Sequence, residues 1–430
     1  MNIGRRQAGS ILCVILFFAL SLRLVISFAY PQTFDLYWYK DWALELQNGL
    51  FTVYGRADQV QLDYPPLYLF PLYLVGQLYR LLPAMSTFLP LEMLVLKLFP
   101  VLGDCLCCLV LYRICRRYSE AAGLLAAALW AVNPSMIFNS SFWGQTDGIM
   151  ALLLLLSFDC INMGRPVRGT VVFAVACLTK FQSLFFAPVV VLHLVFRLGW
   201  KKLLQALGAA VGVTAAVFLP FMIGSGDWLL PFRVYFFGAG SYPYSTLYGA
   251  NLYGALGQNW KPDFQGPVPM IAVGLVLMLG ALASLVVFYY KRKQVSPWIA
   301  GLFFMQCIFI CMTRMHERYQ IIVLAFALLA WMATKRNAFL YLFGALTGIT
   351  LVNQALLLLR YNLMSGEGLA GGAPVYTAGM EAFGDTAFFL LCLVNIAVFI
   401  WSAVICVGEI MKREEGENED EDKAKEPAKA

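Results

Sequence analysis

The sequence predicts an all-α protein: a polytopic transmembrane helical bundle of about twelve spans with an amphipathic, interfacial first external loop. Three observations predict it. The 430 residues are 60% hydrophobic and only 13% charged, with a mean hydropathy of +0.71. A soluble globular chain is about 45–50% apolar and about 25% charged, so soluble cores cannot hide this much apolar surface. The apolar residues also fall into runs approaching the roughly 20 residues that cross a bilayer. Finally, the basic residues gather in alternate turns between those runs, as the positive-inside rule requires. Disorder, a collagenous fibre and a disulfide scaffold are excluded. The aromatic content of 15% suits many membrane interfaces.

The first run, from about Ile11 to Ala29, follows Arg5 and Arg6. It is long enough to span, and no small-residue cleavage pattern follows. It therefore reads as a retained helix with a cytoplasmic N-terminus, not a signal peptide. Residues 30–91 form a long amphipathic external stretch in which aromatics alternate with Asp35, Lys40, Asp41, Glu45, Asp58 and Asp63. Within it, 65–82 carries Pro65, Pro66 and Pro71, with Pro83 just beyond, and reads as interfacial or re-entrant. Further runs lie near 96–112, 120–137, 148–162, 169–178, 183–197, 203–223, 267–290, 296–312, 319–334, 338–359 and 386–408.

On this count one side receives Arg113/Arg116/Arg117, Arg165/Arg168, Arg197/Lys201/Lys202, Lys291/Arg292/Lys293 and Lys335/Arg336. Letting 65–82 cross would invert everything after it and destroy the pattern. The other, external side then carries 30–91, the turns at 139–147, 179–183 and 314–319, and the loops 224–266 and 360–385. Residues 1–411 read as one transmembrane domain, and 412–430 as an acidic, disordered cytoplasmic tail. The net charge of +6 does not point to nucleic acid, because the basic residues are spread among the turns between apolar runs and the positive-inside rule explains them better. All 11 cysteines lie in or beside apolar runs. Even Cys105, Cys107 and Cys108 lack metal-site spacing and read as small apolar residues.

Charges at membrane depth are costly and tend to be functional. Five external groups stand out. Phe34-Asp35 follows the first helix, and an Asp there is either a helix cap or a general base for a sugar hydroxyl. Asp63-Tyr64-Pro65-Pro66-Leu67 reads as a turn entering a helix. Asn133-Pro134 precedes Phe142-Trp143-Gly144-Gln145-Thr146-Asp147-Gly148. Trp143, Gln145 and Asp147 suit a sugar, while helix capping is the plain alternative. Asn139-Ser140-Ser141 matches a glycosylation acceptor but sits too near the membrane for use. Lys180 stands in a tight external turn beside Gln182 and suits a phosphate, or merely snorkels. Thr313-Arg314-Met315-His316-Glu317-Arg318-Tyr319-Gln320 is the most specific signal. Arg314 and Arg318 are four apart, so a helical turn would place them on one face, ready for a phosphate or diphosphate. His193 falls inside another helix near the cytoplasmic side, leaving His316 as the external imidazole. H-E-x-x-H is absent, so no zinc site is read.

In this order the motifs resemble the GT-C superfamily of polytopic glycosyltransferases. The likeness is to bacterial mannosyltransferases related to the second GPI-anchor mannosyltransferase, and to the endoplasmic reticulum glucosyltransferases that extend lipid-linked oligosaccharide. The family's acidic residue after the first helix falls on Asp35, its D-Y-P-P-L motif on Asp63 to Leu67, and its H-E-K motif on His316-Glu317-Arg318, with Arg for Lys. Lys97-Leu98-Phe99 and Asp104 resemble the helix after the family's first loop. The likeness covers Met1 to about Met411.

The resemblance implies a hexose donor on a polyprenyl phosphate, with mannose favoured and glucose open. The acceptor would be a lipid-linked or surface glycan. Asp35 would be the base of an inverting transfer. Asp63, Tyr64, Trp143, Gln145, Asp147, Gln182 and Glu317 would bind substrate. Lys180, Arg314, His316 and Arg318 would hold the donor phosphate. No metal or other cofactor is implied. The compact loops suit a bacterial plasma membrane, while a eukaryotic source would put the same face in the reticulum lumen. The competing readings are a flippase or transporter for an anionic lipid or sugar phosphate, and a surface-polysaccharide polymerase or ligase.

Overall fold

The computed structural model describes residues 4–31, 35–292, 294–365 and 378–412. Phe34, Lys293, residues 366–377 of the expected 360–385 loop and nearly all of the acidic tail lie outside the described residues, and the described parts of that loop, 360–365 and 378–385, are helical. The chain is helical, with only isolated β-bridges and no strand among the described residues. In order the helices are α1 (Arg5–Ala29), α2 (Leu36–Glu45), α3 (Ala57–Val60), α4 (Pro66–Leu81), α5 (Leu89–Cys115), α6 (Glu120–Ala131), α7 (Pro134–Ile137), α8 (Asp147–Asn162) and α9 (Pro166–Thr179). Then come α10 (Ala187–Arg197), α11 (Trp200–Ser225), α12 (Leu230–Gly240), α13 (Leu252–Ala255), α14 (Met270–Lys291), α15 (Pro297–Cys311), α16 (Val323–Thr334), α17 (Asn337–Ser365) and α18 (Ala378–Ile410).

Among the described residues, six helices are long and apolar enough to cross a bilayer alone: α1, α5, α11, α14, α17 and α18. A seventh span would be the pair Glu120–Ala131 and Pro134–Trp143, bent by 48°. The apolar segments Pro166–Thr179, Phe181–Arg197, Pro297–Cys311 and Tyr319–Thr334 are shorter, as is α8. Together these segments coincide with the apolar runs of the sequence and are compatible with its count of about twelve spans.

The helix α4 is not among the spanning candidates. Pro66 begins it, where a missing N–H costs nothing. Its buried positions, Tyr68/Leu69, Leu72, Val75/Gly76 and Tyr79, recur at helical spacing. That face packs with Leu36, Tyr39, Trp42 and Leu46 of the α2 segment, and with Phe218 and Phe221 of α11, into a core of its own. The first loop is thus a folded layer on the bundle. α5 starts at Leu89, earlier than its apolar run near 96, because Pro90 opens the helix while its first turn still packs on that layer.

The basic turns meet at one end. Arg117 pairs with Asp159 at 2.5 Å, Lys335 lies over the Tyr118 ring, Arg197 donates to the Arg292 carbonyl, and Arg336 pairs with Glu409 at 2.6 Å. His193 lies in α10, one turn before Arg197. The tertiary structure therefore groups the basic turns that the sequence assigned to one side.

A buried polar knot joins α1 to the site-bearing end. Arg23 Nε donates to Asp104 Oδ2 at 2.7 Å, with both side chains fully buried. Trp130 Nε1 and Ser140 Oγ donate to the same carboxylate, each at 2.7 Å. Asp104 is therefore a satisfied structural anion.

Candidate active site

The bend between α6 and α8 shapes the site. Asn133 caps α7 by accepting from the Met136 N–H at 3.1 Å, and Pro134 follows at the first helical position. The chain then widens into a π-helix, Phe138–Trp143, a form that often marks functional sites. Gly144 ends it with φ +89°, and a Cβ there would lie 2.8 Å from Lys97 Cγ. Only glycine fits both demands. At Gly148 a Cβ would sit 2.9 Å from Asp104 Cβ, so α8 lies close against α5. Lys97, fully buried, donates to the carbonyls of Tyr30 and Phe142 at 2.8 Å each. It ties the approach to Asp35 to the end of the π-helix.

Asp35 stands just before α2 with φ +66°. A left-handed non-glycine residue costs about 1–2 kcal/mol, and Asp tolerates it better than most. Its side chain makes no capping hydrogen bond. The carboxylate instead accepts from Gln145 Nε2 at 2.9 Å, and Arg318 Nη2 lies 3.9 Å from the same oxygen. Burial pushes the Asp35 carboxyl above the usual carboxylate range, and Arg318 opposes that rise. Asp63 is likewise pushed up to about 6, chiefly by burial.

The H-E-R turn does not form the helix that would align Arg314 with Arg318. Arg314 takes φ +63° and turns away, donating from Nε to Asp263 Oδ2 at 2.7 Å. Thr313 Oγ1 donates to the same oxygen at 3.0 Å, and Asp263 is fully buried. Arg318 goes the other way, with Nη1 2.5 Å from Glu317 Oε1 and its guanidinium over the rings of Trp143 and Tyr319. The single-face pair expected from spacing is therefore corrected, because the left-handed turn at Arg314 breaks the helical register. Burial would raise the Glu317 carboxyl, but Arg318 and His316 hold it below the usual range. Burial likewise works against the Arg318 charge, yet Glu317 and Asp35 raise its pKa well above normal. His316 Nδ1 is 3.8 Å from Glu317 Oε2, and its ring packs against Tyr242 and Tyr319.

Lys180 Nζ donates to Asp147 Oδ1 at 2.5 Å, and Asn139 donates to the other Asp147 oxygen at 3.1 Å. Burial lowers the Lys180 pKa, with Asp147 opposing. Asp147 is fully buried and so engaged as an internal anion. Trp143 is also fully buried and carries the Arg318 guanidinium on its face. Asn139, Ser140 and Ser141 are fully buried, consistent with an unused acceptor motif. Gln182 donates to the Tyr319 hydroxyl at 2.6 Å. Tyr64 Oη lies 2.7 Å from Tyr39 Oη and 3.2 Å from Thr146 Oγ1.

Two larger cavities meet here. A polar one of about 300 Å³ is lined by Asp35, Asp63, Tyr64 and Arg318 with the indoles of Trp38 and Trp42. An apolar one of about 420 Å³ is lined by residues such as Phe185, Met278, Phe304 and Ile308, with Arg314 and His316 on its wall. Tyr242 lines both. A small space of about 40 Å³, bounded by Asp63, Lys180, Gln182 and Tyr242, lies between them. The sequence reading missed Asp263, Tyr242, Trp38 and Trp42. The two tryptophans carried a signal, being four apart behind Asp35. Asp263 and Tyr242 sit in an irregular loop without period.

An all-helical membrane bundle with a carboxylate-bearing polar cavity beside a cation-edged apolar one is compatible with a polytopic membrane glycosyltransferase. Residues 39–234 match the model of the ALG6, ALG8 glycosyltransferase family. The matched stretch holds Asp63 to Leu67, the Trp143–Asp147 segment and Lys180, and it lies between Asp35 and His316. No curated protein matches the chain. The chain is similar to that family over this stretch, and the protein is an enzyme, a glycosyltransferase.

Proposed function

We propose that the protein transfers a hexose, mannose or glucose, from a polyprenyl-phosphate donor to a lipid-linked or surface glycan acceptor at the extracytoplasmic face. The observation that carries this reading is the pair of cavities with the common Tyr242 wall. The apolar one suits an isoprenoid chain, with Arg314 and His316 available to its phosphate. The polar one suits a sugar acceptor, offering indole faces and carboxylates to its hydroxyls.

Asp35 takes the proton from an acceptor hydroxyl. The freed oxygen attacks the anomeric carbon opposite the phosphate, and the configuration inverts. The bond from that carbon to the phosphate oxygen breaks, and the lipid phosphate leaves with the electron pair. Arg314, His316 and Lys180 stabilise the departing charge in a water-poor space. Asp63 and Tyr64 hold acceptor hydroxyls, while Gln145 orients Asp35. The basic end of the bundle and both termini face the cytoplasm. The domain is 1–411, with 412–430 as a cytoplasmic tail.

The test is transfer by the purified protein from a panel of polyprenyl-phosphate hexoses to lipid-linked glycan acceptors. Normal transfer by Asp35→Asn would remove the assigned base. Turnover only with diphosphate-linked oligosaccharide would favour a polymerase or ligase. Movement of donor across liposomes without product would favour a flippase. The buried Arg23–Asp104 pair does not weigh for that last reading, because protein groups satisfy its carboxylate.

A further inference from the structure

The H-E-R motif is read most simply as one cation cluster for the donor phosphate. The cavities divide it. His316 lines the apolar cavity, whereas Arg318 lines the polar one together with Asp35. The Arg318 guanidinium is held on three sides, by Glu317 at 2.5 Å, by the Trp143 face at 5.2 Å from the ring centroid, and by the Tyr319 ring at 5.7 Å. Its remaining reach is toward Asp35 Oδ2 at 3.9 Å, the oxygen that Gln145 also grips.

We infer that Arg318 is a positioning residue for the base: it holds Asp35 oriented and anionic in the acceptor cavity, and it is not a ligand of the donor phosphate. The inference rests on the reading of Asp35 as the base. Trp143 and Gln145 then belong to the same device. The buried indole fixes the guanidinium from below, and the buried amide fixes the carboxylate from the side. Glu317 balances the second charge of Arg318, so the cation is not left bare in a buried place.

The charged and titratable groups around Asp35 are Arg318, Glu317 and His316 from the H-E-R turn, Asp63 before α4, Lys180 after α9, and Tyr242. Arg318 is the largest influence favouring the carboxylate. An opposite charge at this range lowers a carboxyl pKa by about one to three units. Loss of Arg318 must therefore make Asp35 harder to ionise. Activity needs the carboxylate, so the acidic limb of the pH–rate profile must move to higher pH.

The experiment measures the pH profile of kcat/KM and the donor KM for wild type, Arg318→Gln, Arg318→Lys, Glu317→Gln and Asp35→Asn. Arg318→Gln should move the acidic limb up by about one pH unit or more. It should cut kcat about 10- to 100-fold, as loss of an orienting partner does, and leave the donor KM within about twofold. Arg318→Lys should restore most of the limb. Glu317→Gln should move it down, because Glu317 opposes ionisation of Asp35. Arg318→Lys carries the test if Arg318→Gln does not fold: its donor KM should stay within about twofold, and a rise of about tenfold or more would return Arg318 to the phosphate. A donor KM raised about tenfold or more with an unmoved limb would overturn the inference and return Arg318 to the phosphate. Full transfer by Asp35→Asn would instead sink the base reading beneath it.

Discussion

Lys180 Nζ lies 2.5 Å from Asp147 Oδ1, and both side chains are buried. The pair joins the turn after α9 to the start of α8, and Asn139 extends it to Gln354 of α17 at 2.9 Å. Three parts of the bundle thus meet through one carboxylate. Removing one partner of such a pair leaves a buried charge uncompensated, at about 3–5 kcal/mol. Asp147→Ala should therefore lower thermal stability in detergent strongly. The double variant Asp147→Leu with Lys180→Met should recover most of the loss. If Asp147→Ala melts like wild type, the pair is not the tie described here.

Gly144 is the hinge between Trp143 and Gln145. Gly144→Ala adds a Cβ 2.8 Å from Lys97 Cγ at a positive φ. The backbone conformation alone costs about 1–2 kcal/mol. The larger effect should be on activity, because the shift displaces the Gln145 amide that holds Asp35. We expect kcat to fall at least tenfold with the fold retained, read by turnover together with melting temperature.

Asp63 shares the polar cavity with Asp35 and disfavours a second negative charge there. With its own carboxyl pushed up to about 6 by burial, it is mostly ionised at neutral pH. Asp63→Asn removes that anion, so Asp35 should ionise more readily. The active form of the base is the carboxylate, so the acidic limb should move to lower pH, opposite to Arg318→Gln. The limb position is the readout, since acceptor binding should also weaken.

Asp263 holds Arg314 and Thr313, and so the loop segment paired with His316 by bridges from Leu247 and Tyr248. Asp263→Ala should free Arg314 from its fixed direction and loosen His316. The expected result is a donor KM raised severalfold with the acceptor KM nearly unchanged. A change confined to the acceptor would contradict the assignment of the two cavities.

Much of this was legible beforehand. Pro65, Pro66 and Pro71 marked 65–82 as a segment that does not cross, and α4 packs in the first-loop layer. The basic turns sorted to one side by charge alone, and contacts such as Lys335 over Tyr118 group them. The sequence reading carried one apolar run through 120–137, whereas the helix ends at Ala131 and the chain bends by 48° at Asn133-Pro134. Less legible was what each polar residue touches. Trp143 looked like an open sugar platform and lies buried under Arg318. Asp147 looked available to a substrate and is paired with Lys180.

The sequence by itself determined the membrane class, the positions of the helices, and the short set of charged residues from which a site had to be built. Those follow from local rules: an apolar run must leave water, a proline cannot donate, and a cation avoids the bilayer core. The tertiary structure decided the partners. Arg314 and Arg318 are four residues apart, yet they face different cavities, because one left-handed residue breaks the register between them. Asp35 and Arg318 are far apart in the chain, and only the packing of the first-loop layer against the turn before α16 brings them within 3.9 Å.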